Sequence, residues 1–237
     1  MSDMSKTDLL ILLITFVLLV LSFAIFFYFF CIIFNIFLTT PHLRETARYV
    51  LFIHMLVTDT LQVSVSLFLF LGHFFSFHVP IILCYVLSAF AYSAFRVTPY
   101  NLAIMSIERH VAICNPLRHS NTCNNHWCNS MIAVMWTLGF IPVVVDFIAM
   151  NFSVNSDFYS LYVACSWLFF SRNQAQSIIR LLVVSISFAV VGLIIFYTYI
   201  NVMLVARKIG SDKSSASKAG KTVFLHAFQL SLCFLVL

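Results

Sequence analysis

The sequence predicts an all-α fold, a polytopic transmembrane helix bundle. Of its residues 62% are hydrophobic and only 9% charged, with a mean hydropathy of +1.02. No soluble core needs that much apolar surface. Apolar runs of spanning length also recur along the chain: a hydrocarbon layer of roughly 30 Å takes about 20 helical residues at about 1.5 Å rise each. Finally, the basic residues gather in alternate connections between these runs.

Five full runs and an interrupted sixth can be placed. The first, Leu9 to Leu38, is about twice as long as the apolar core of a secretion signal (about 7 to 15 residues), so it reads as a spanning helix. The second covers about Val50 to Leu71, the third about Ile81 to Ile113, the fourth Met131 to Met150 and the fifth about Ser177 to Ala206. The sixth begins near Thr222 and is still apolar at Leu237, where no Gly, Pro or basic flank ends it. The expectation is a bundle cut after about five and a half helices.

Arg44 and Arg48 follow the first run, Arg109 and Arg118 the third, and Arg207, Lys208, Lys213, Lys218 and Lys221 the fifth, which places nine of the thirteen basic residues on one side. That side is expected to be cytoplasmic and the N-terminus extracellular. The stretch Gly210 to Gly220, rich in Ser, Ala and Lys, reads as a flexible third inner loop. A net charge of +5 and a pI near 8.9 do not imply nucleic acid, because the basic residues form neither a stripe nor a pattern interleaved with aromatics.

Of seven cysteines, only Cys84 and Cys165 fall on the outer side, so an outer disulfide between them is expected, two unpaired thiols being the alternative. Cys123, His126 and Cys128, with His119 nearby, match no common structural zinc spacing, and no metal or other cofactor is expected. Charges inside the apolar runs each need a reason, since one at mid-bilayer costs at least about 2.5 to 3.5 kcal/mol on insertion scales. They are Asp59, Arg96, Asp146 and the Glu108 and Arg109 pair. For Asp146 a satisfied polar contact within the bundle is the expected explanation.

Taken in order, these residues resemble the rhodopsin-like G-protein-coupled receptors, and within them the odorant receptors of the fish type. Asn35 is similar to the family's helix-one asparagine, and HLRETARYVLFIHMLVTDTLQ (His42 to Gln62) to the first inner loop and second helix, with Asp59 as its aspartate. Cys84 resembles the cysteine opening helix three, Glu108-Arg109-His110 the DRY-type switch, and VAICNPLRH (Val111 to His119) its continuation in odorant receptors. Trp136 resembles the helix-four tryptophan, Cys165 the outer-loop partner of Cys84, Thr198-Tyr199 the SY-type pair of helix five, and KAGKTVFLH (Lys218 to His226) the entry to helix six. The resemblance implies one seven-helix receptor domain over residues 1–237, incomplete at its C-terminus. It departs from the family in three ways: His110 stands for the usual tyrosine, Cys165 is the single outer-loop cysteine, and most of helix six and all of helix seven, with the family's NPxxY region, are expected to be absent.

The implied protein is an odorant receptor of the plasma membrane that binds a small odorant and activates a heterotrimeric G protein. Its switch residues are Glu108, Arg109, His110 and Tyr199, and Asn35 and Asp59 form its polar core. An ion pair of Arg109 with Glu108 would hold the inner end closed until a ligand moves helix six outward. At about 100° per residue, Tyr92, Phe95, Arg96 and Pro99 share a helix face, opposite which Ser185, Phe188 and Ala189 are expected, giving an apolar and aromatic pocket with one cation. Arg96 would then anchor an anionic ligand group or else pair with an acid in the bundle. Ala91 stands where amine receptors carry an aspartate, which argues against an amine. Asn151-Phe152-Ser153 meets the N-glycosylation pattern.

No enzyme is expected: the chain has no phosphate loop, nucleophile elbow or zinc-protease histidine pair. A transporter could use Asp59 and Arg96 on an ion path, but it predicts repeats or broken helices that the sequence lacks. A non-functional receptor fragment is the other alternative.

Overall fold

The structure, a computed structural model, describes residues 6–75, 77–115, 123–151, 160–165 and 174–208. The sixth run, the Lys218 to His226 motif, and Arg118 and His119 lie outside the described residues. Six helices are described: α1 Lys6–Thr39, α2 Pro41–Glu45, α3 Ala47–Phe74, α4 Ile81–Cys114, α5 Asn125–Asn151 and α6 Gln174–Lys208, with two short strands, β1 His78–Pro80 and β2 Tyr162–Ala164. Five of the helices are long and apolar enough to cross a membrane. The chain divides into two compact units, Met1–Arg44 and Glu45–Leu237.

In the first unit, the 34 residues of α1 make about 51 Å of helix, more than a bilayer core requires. Phe23, Phe27, Phe30 and Phe34 recur three or four residues apart and form a ladder along one side, with successive ring centroids 5.9, 5.9 and 5.4 Å apart. Asn35 sits in the last turns of α1, where its carbonyl accepts the Thr39 hydroxyl at 2.9 Å.

The second unit is built around α4, which packs against α3, α5 and α6. Of its apolar window 44% is buried, against 17% for α3 and α5 and 22% for α6, so α4 is the central helix. Small residues explain how three neighbours reach it: Ser88, Ser93, Ala94, Ala103 and Ser106 are all buried on α4 and let backbones approach. The main core joins Ala47, Leu51 and Met55 of α3 to Val97, Leu102 and Met105 of α4, Met135 of α5, and Val191 and Ile195 of α6. On α6, Val184, Phe188, Val191, Ile195 and Val202 are buried at helical spacing, while Leu182, Ile186, Leu193 and Phe196 are exposed. A helix apolar on both faces suits a wall that meets protein on one side and lipid on the other.

Pro99 and Pro142 lie inside α4 and α5 without interrupting either helix. Each lacks an N–H, so one carbonyl a turn earlier loses its helical donor.

The Cys84 end is closed by a two-stranded ribbon. β1 and β2 pair antiparallel, His78 opposite Ala164, Val79 opposite Val163 and Pro80 opposite Tyr162. Cys165 directly follows β2 and forms a disulfide with Cys84 in the first turn of α4, with Cα atoms 5.6 Å apart. Ile81, Cys84 and Cys165 form a small core of their own, on which Leu69, Tyr85, Met150 and Val163 pack.

Candidate functional site

Along α4 runs a buried polar seam of Arg96, Thr98, Asn101 and Glu108. Buried polar groups demand partners, and the middle of the seam shows how they are met. Thr98 donates its hydroxyl to Asp59 Oδ1 at 2.6 Å, tying α4 to α3. Asn101 Nδ2 donates to the Leu51 carbonyl at 3.0 Å and lies 3.3 Å from His54 Nδ1. Trp136 on α5 donates its indole N–H to His54 Nε2 at 3.0 Å. An indole can only donate, so His54 Nε2 acts as the acceptor there. Asp59, His54, Asn101 and Trp136 thereby lock three helices together. His54 did not stand out in the sequence reading, although a histidine within an apolar run was itself a signal. Thr98→Val should lower heat stability by about 1 to 3 kcal/mol, because it leaves an oxygen of the half-buried Asp59 without its donor; a thermal melt of the purified variant checks this.

Toward the Cys84 end, among the described residues, lie two arginines and one carboxylate. Arg180 Nε donates to Asp146 Oδ2 at 2.7 Å, an ion pair that joins α6 to α5 and answers the question of Asp146's partner. Beside it is a small cavity of about 20 Å³, lined by Tyr85, Ser88, Tyr92, Val143, Asp146 and Arg180. That is room for about one water. Arg96 is 4% exposed and lies over the Tyr92 ring, its guanidinium carbon 5.9 Å from the ring centroid. Its Nη2 donates to Tyr100 Oη at 3.3 Å, Tyr100 donates to Ser187 Oγ at 3.1 Å, and Ser187 donates to the Val183 carbonyl at 2.7 Å. Because arginine only donates, this chain has one direction, from α4 to α6. Nε and Nη1 of Arg96 have no hydrogen-bond partner among the described residues.

Phe95 and Phe188 face one another across α4 and α6, with centroids 6.1 Å apart. Ser185 is half-buried and Ala189 is exposed, whereas Ser187, which the sequence reading passed over, makes the inter-helix contact.

At the other end of α4, Glu108 is buried and Arg109 half-buried. The expected ion pair between them does not form among the described residues. Neighbours on a helix point about 100° apart, which sends the two side chains different ways. Arg48 and Glu108 are the charges that act on Arg109, and Arg109 Nε has no acceptor among the described residues. Burial, and then the nearby Glu108 carboxylate, push the Cys123 thiol above its ordinary range. His110 Nδ1 lies 3.4 Å from Cys114 Sγ, and its ring is 6.3 Å from that of Tyr197. Tyr199 is half-buried. Asn151 is exposed and donates its side-chain amide to the Phe147 carbonyl at 2.8 Å; Ser153 of the glycosylation pattern lies outside the described residues. Among the described residues no group of three His, Cys, Asp or Glu could hold a metal ion.

A membrane helix bundle with a polar seam along one central helix, sealed at one end by a disulfide-pinned ribbon, defines a class of polytopic receptor. Residues 31–237 match the family described as 7 transmembrane receptor (rhodopsin family), and the chain belongs to that family. It is 27% identical over 206 residues to Odorant receptor 131-2 of Danio rerio, covering 83% of this chain and 60% of that protein. Over shorter stretches it is 40% identical to human Olfactory receptor 9A4 (67 residues, 26% of this chain and 21% of that one) and 47% identical to human Olfactory receptor 2D2 (45 residues, 19% and 15%). The chain thus spans about three-fifths of the length of the Danio rerio relative.

Proposed function

We propose that this chain is the ligand-binding and switching part of an odorant receptor that couples a small odorant to a heterotrimeric G protein. It would lie in the plasma membrane with its N-terminus and disulfide outside, and act as a receptor rather than an enzyme. The observation that carries the reading is the hydrogen-bonded chain from Arg96 through Tyr100 to Ser187, which puts a partly unpartnered cation between two helices above a locked polar core. Tyr92, Phe95, Arg96, Ser185 and Phe188 line the ligand region; Asp59 belongs to the polar core.

Glu108, Arg109, His110 and Tyr199 form the switch. Arg109 is held by no acid among the described residues, so its guanidinium can meet acceptors on a docked G protein while Glu108 stays buried. Ligand binding need contribute only about 1 to 3 kcal/mol of coupling to shift the population of helix arrangements. No observation favours the transporter reading, since both intramembrane prolines lie in continuous helices.

Arg109→Ala is expected to abolish odorant-evoked second-messenger production in cells while the receptor still reaches the surface. An Arg109→Ala receptor that signals like the unaltered one would refute this role.

A further inference from the structure

On the odorant-receptor reading, we propose that the site around Arg96 takes the carboxylate of a small amphipathic carboxylic acid.

A guanidinium carries five N–H donors, and a buried one normally meets carboxylate oxygens or several carbonyls. Arg96 is only 4% exposed, yet although its Nη2 donates to the Tyr100 hydroxyl, Nε and Nη1 are left without a partner among the described residues. The Tyr92 ring offers Arg96 a π face, which cannot replace an acceptor for those N–H groups.

Among the described residues, the carboxylates nearby are already engaged. Asp146 is taken by Arg180 and Asp59 by Thr98. Among the described residues, Arg96 and Arg180 set against Asp146 leave one positive charge in excess within this part of the bundle. A single carboxylate would balance that charge and accept from Nε and Nη1 in the fork geometry that guanidinium and carboxylate share. Phe95 and Phe188, whose rings tilt against one another 6.1 Å apart, would take the ligand's hydrocarbon chain.

The occupant would also act on α6. Tyr100 receives its hydrogen bond from Arg96 Nη2 and passes one on to Ser187. A carboxylate that draws the guanidinium toward itself lengthens or tightens that link, and so biases the position of α6, which also bears Tyr199 of the proposed switch.

The test uses two measurements. In cells expressing the receptor at a measured surface level, hexanoic acid is compared with hexanal and 1-hexanol, so that only the head group changes. The acid should be the more potent agonist, and Arg96→Gln should reduce the acid-to-aldehyde potency ratio roughly 10- to 150-fold, the range for a hydrogen bond to a charged group. Arg96→Lys, which keeps the charge and loses the fork, should retain part of the preference.

Separately, purified receptor is melted with and without hexanoate. Without it, Arg96→Met should melt at the same temperature as the unaltered receptor or higher, because an uncompensated buried charge is removed; with it, only the unaltered receptor should shift upward. If neutral odorants activate and acids do not, the carboxylate assignment falls while the odorant reading stands. If Arg96→Met melts markedly lower and hexanoate shifts both proteins equally, Arg96 is a packing element and the assignment also falls. If none of the three compounds activates a surface-expressed receptor and hexanoate leaves the melt unchanged, the odorant reading loses its support and the proposal goes with it.

Discussion

Replacing either Cys84 or Cys165 by serine is expected to lower stability by about 2 to 4 kcal/mol and to keep most of the receptor from the cell surface. The bond closes a loop with a sequence separation of 81, and loop closure of the unfolded chain is where most of the effect is thought to arise. The folded state loses something as well. Cys84 and Cys165 are both buried among Ile81, Leu69, Tyr85, Val163 and Met150, and the ribbon they anchor has only three residues in each strand. A two-stranded ribbon that short does not hold together in water unaided. The expected signature is a lower melting temperature for both single variants and the double variant, with the double no worse than either single, because each removes the same bond. Surface labelling of an N-terminal epitope gives the trafficking readout.

Gly139→Leu should be the most damaging single change at a helix contact, at about 3 kcal/mol. Gly139 lies on α5 where it crosses α4, and a Cβ there would sit 3.0 Å from Val97 Cγ2 and 3.2 Å from the Ser93 carbonyl oxygen. Neither neighbour yields easily. Val97 is fully buried and stiff about χ1, and the Ser93 oxygen belongs to the helix backbone. A leucine therefore has to push α5 away from α4, which strains the Trp136 to His54 hydrogen bond one turn along. Gly139→Ala should cost far less, since a shift of a few tenths of an ångström relieves the contact and alanine favours the helix by about 1 kcal/mol. A similar loss in the two variants would show that the crossing is looser than the structure indicates.

The legible parts of this fold are those that depend on composition and length. Apolar runs longer than a bilayer is thick leave little alternative to spanning helices, so the helical membrane class followed directly. The Cys84–Cys165 bond was legible through expected sidedness, because the charge pattern placed no other cysteine on the outer side. Contacts set by helix rotation were less accessible. α6 is apolar all round, so no polar face fixes which residues point inward, and the sequence reading singled out Ser185 and Ala189 where Ser187 makes the contact. The Asp146–Arg180 pair was half visible: Asp146 drew notice as a charge needing a partner, but the 34-residue separation from Arg180 carries no local signal of pairing. The ribbon His78–Pro80 with Tyr162–Ala164 gave no signal, as three residues cannot display a period of two. For Glu108 and Arg109, adjacency in sequence suggested an ion pair that the 100° step of the helix does not produce.

Guanine-nucleotide exchange tests the proposed receptor function most directly. With the receptor in lipid nanodiscs and a purified heterotrimeric G protein, an odorant should accelerate exchange, and Arg109→Ala should remove that acceleration. Exchange that is indifferent to every odorant tested, in a receptor shown to be folded and to carry the Cys84–Cys165 bond, would contradict the account.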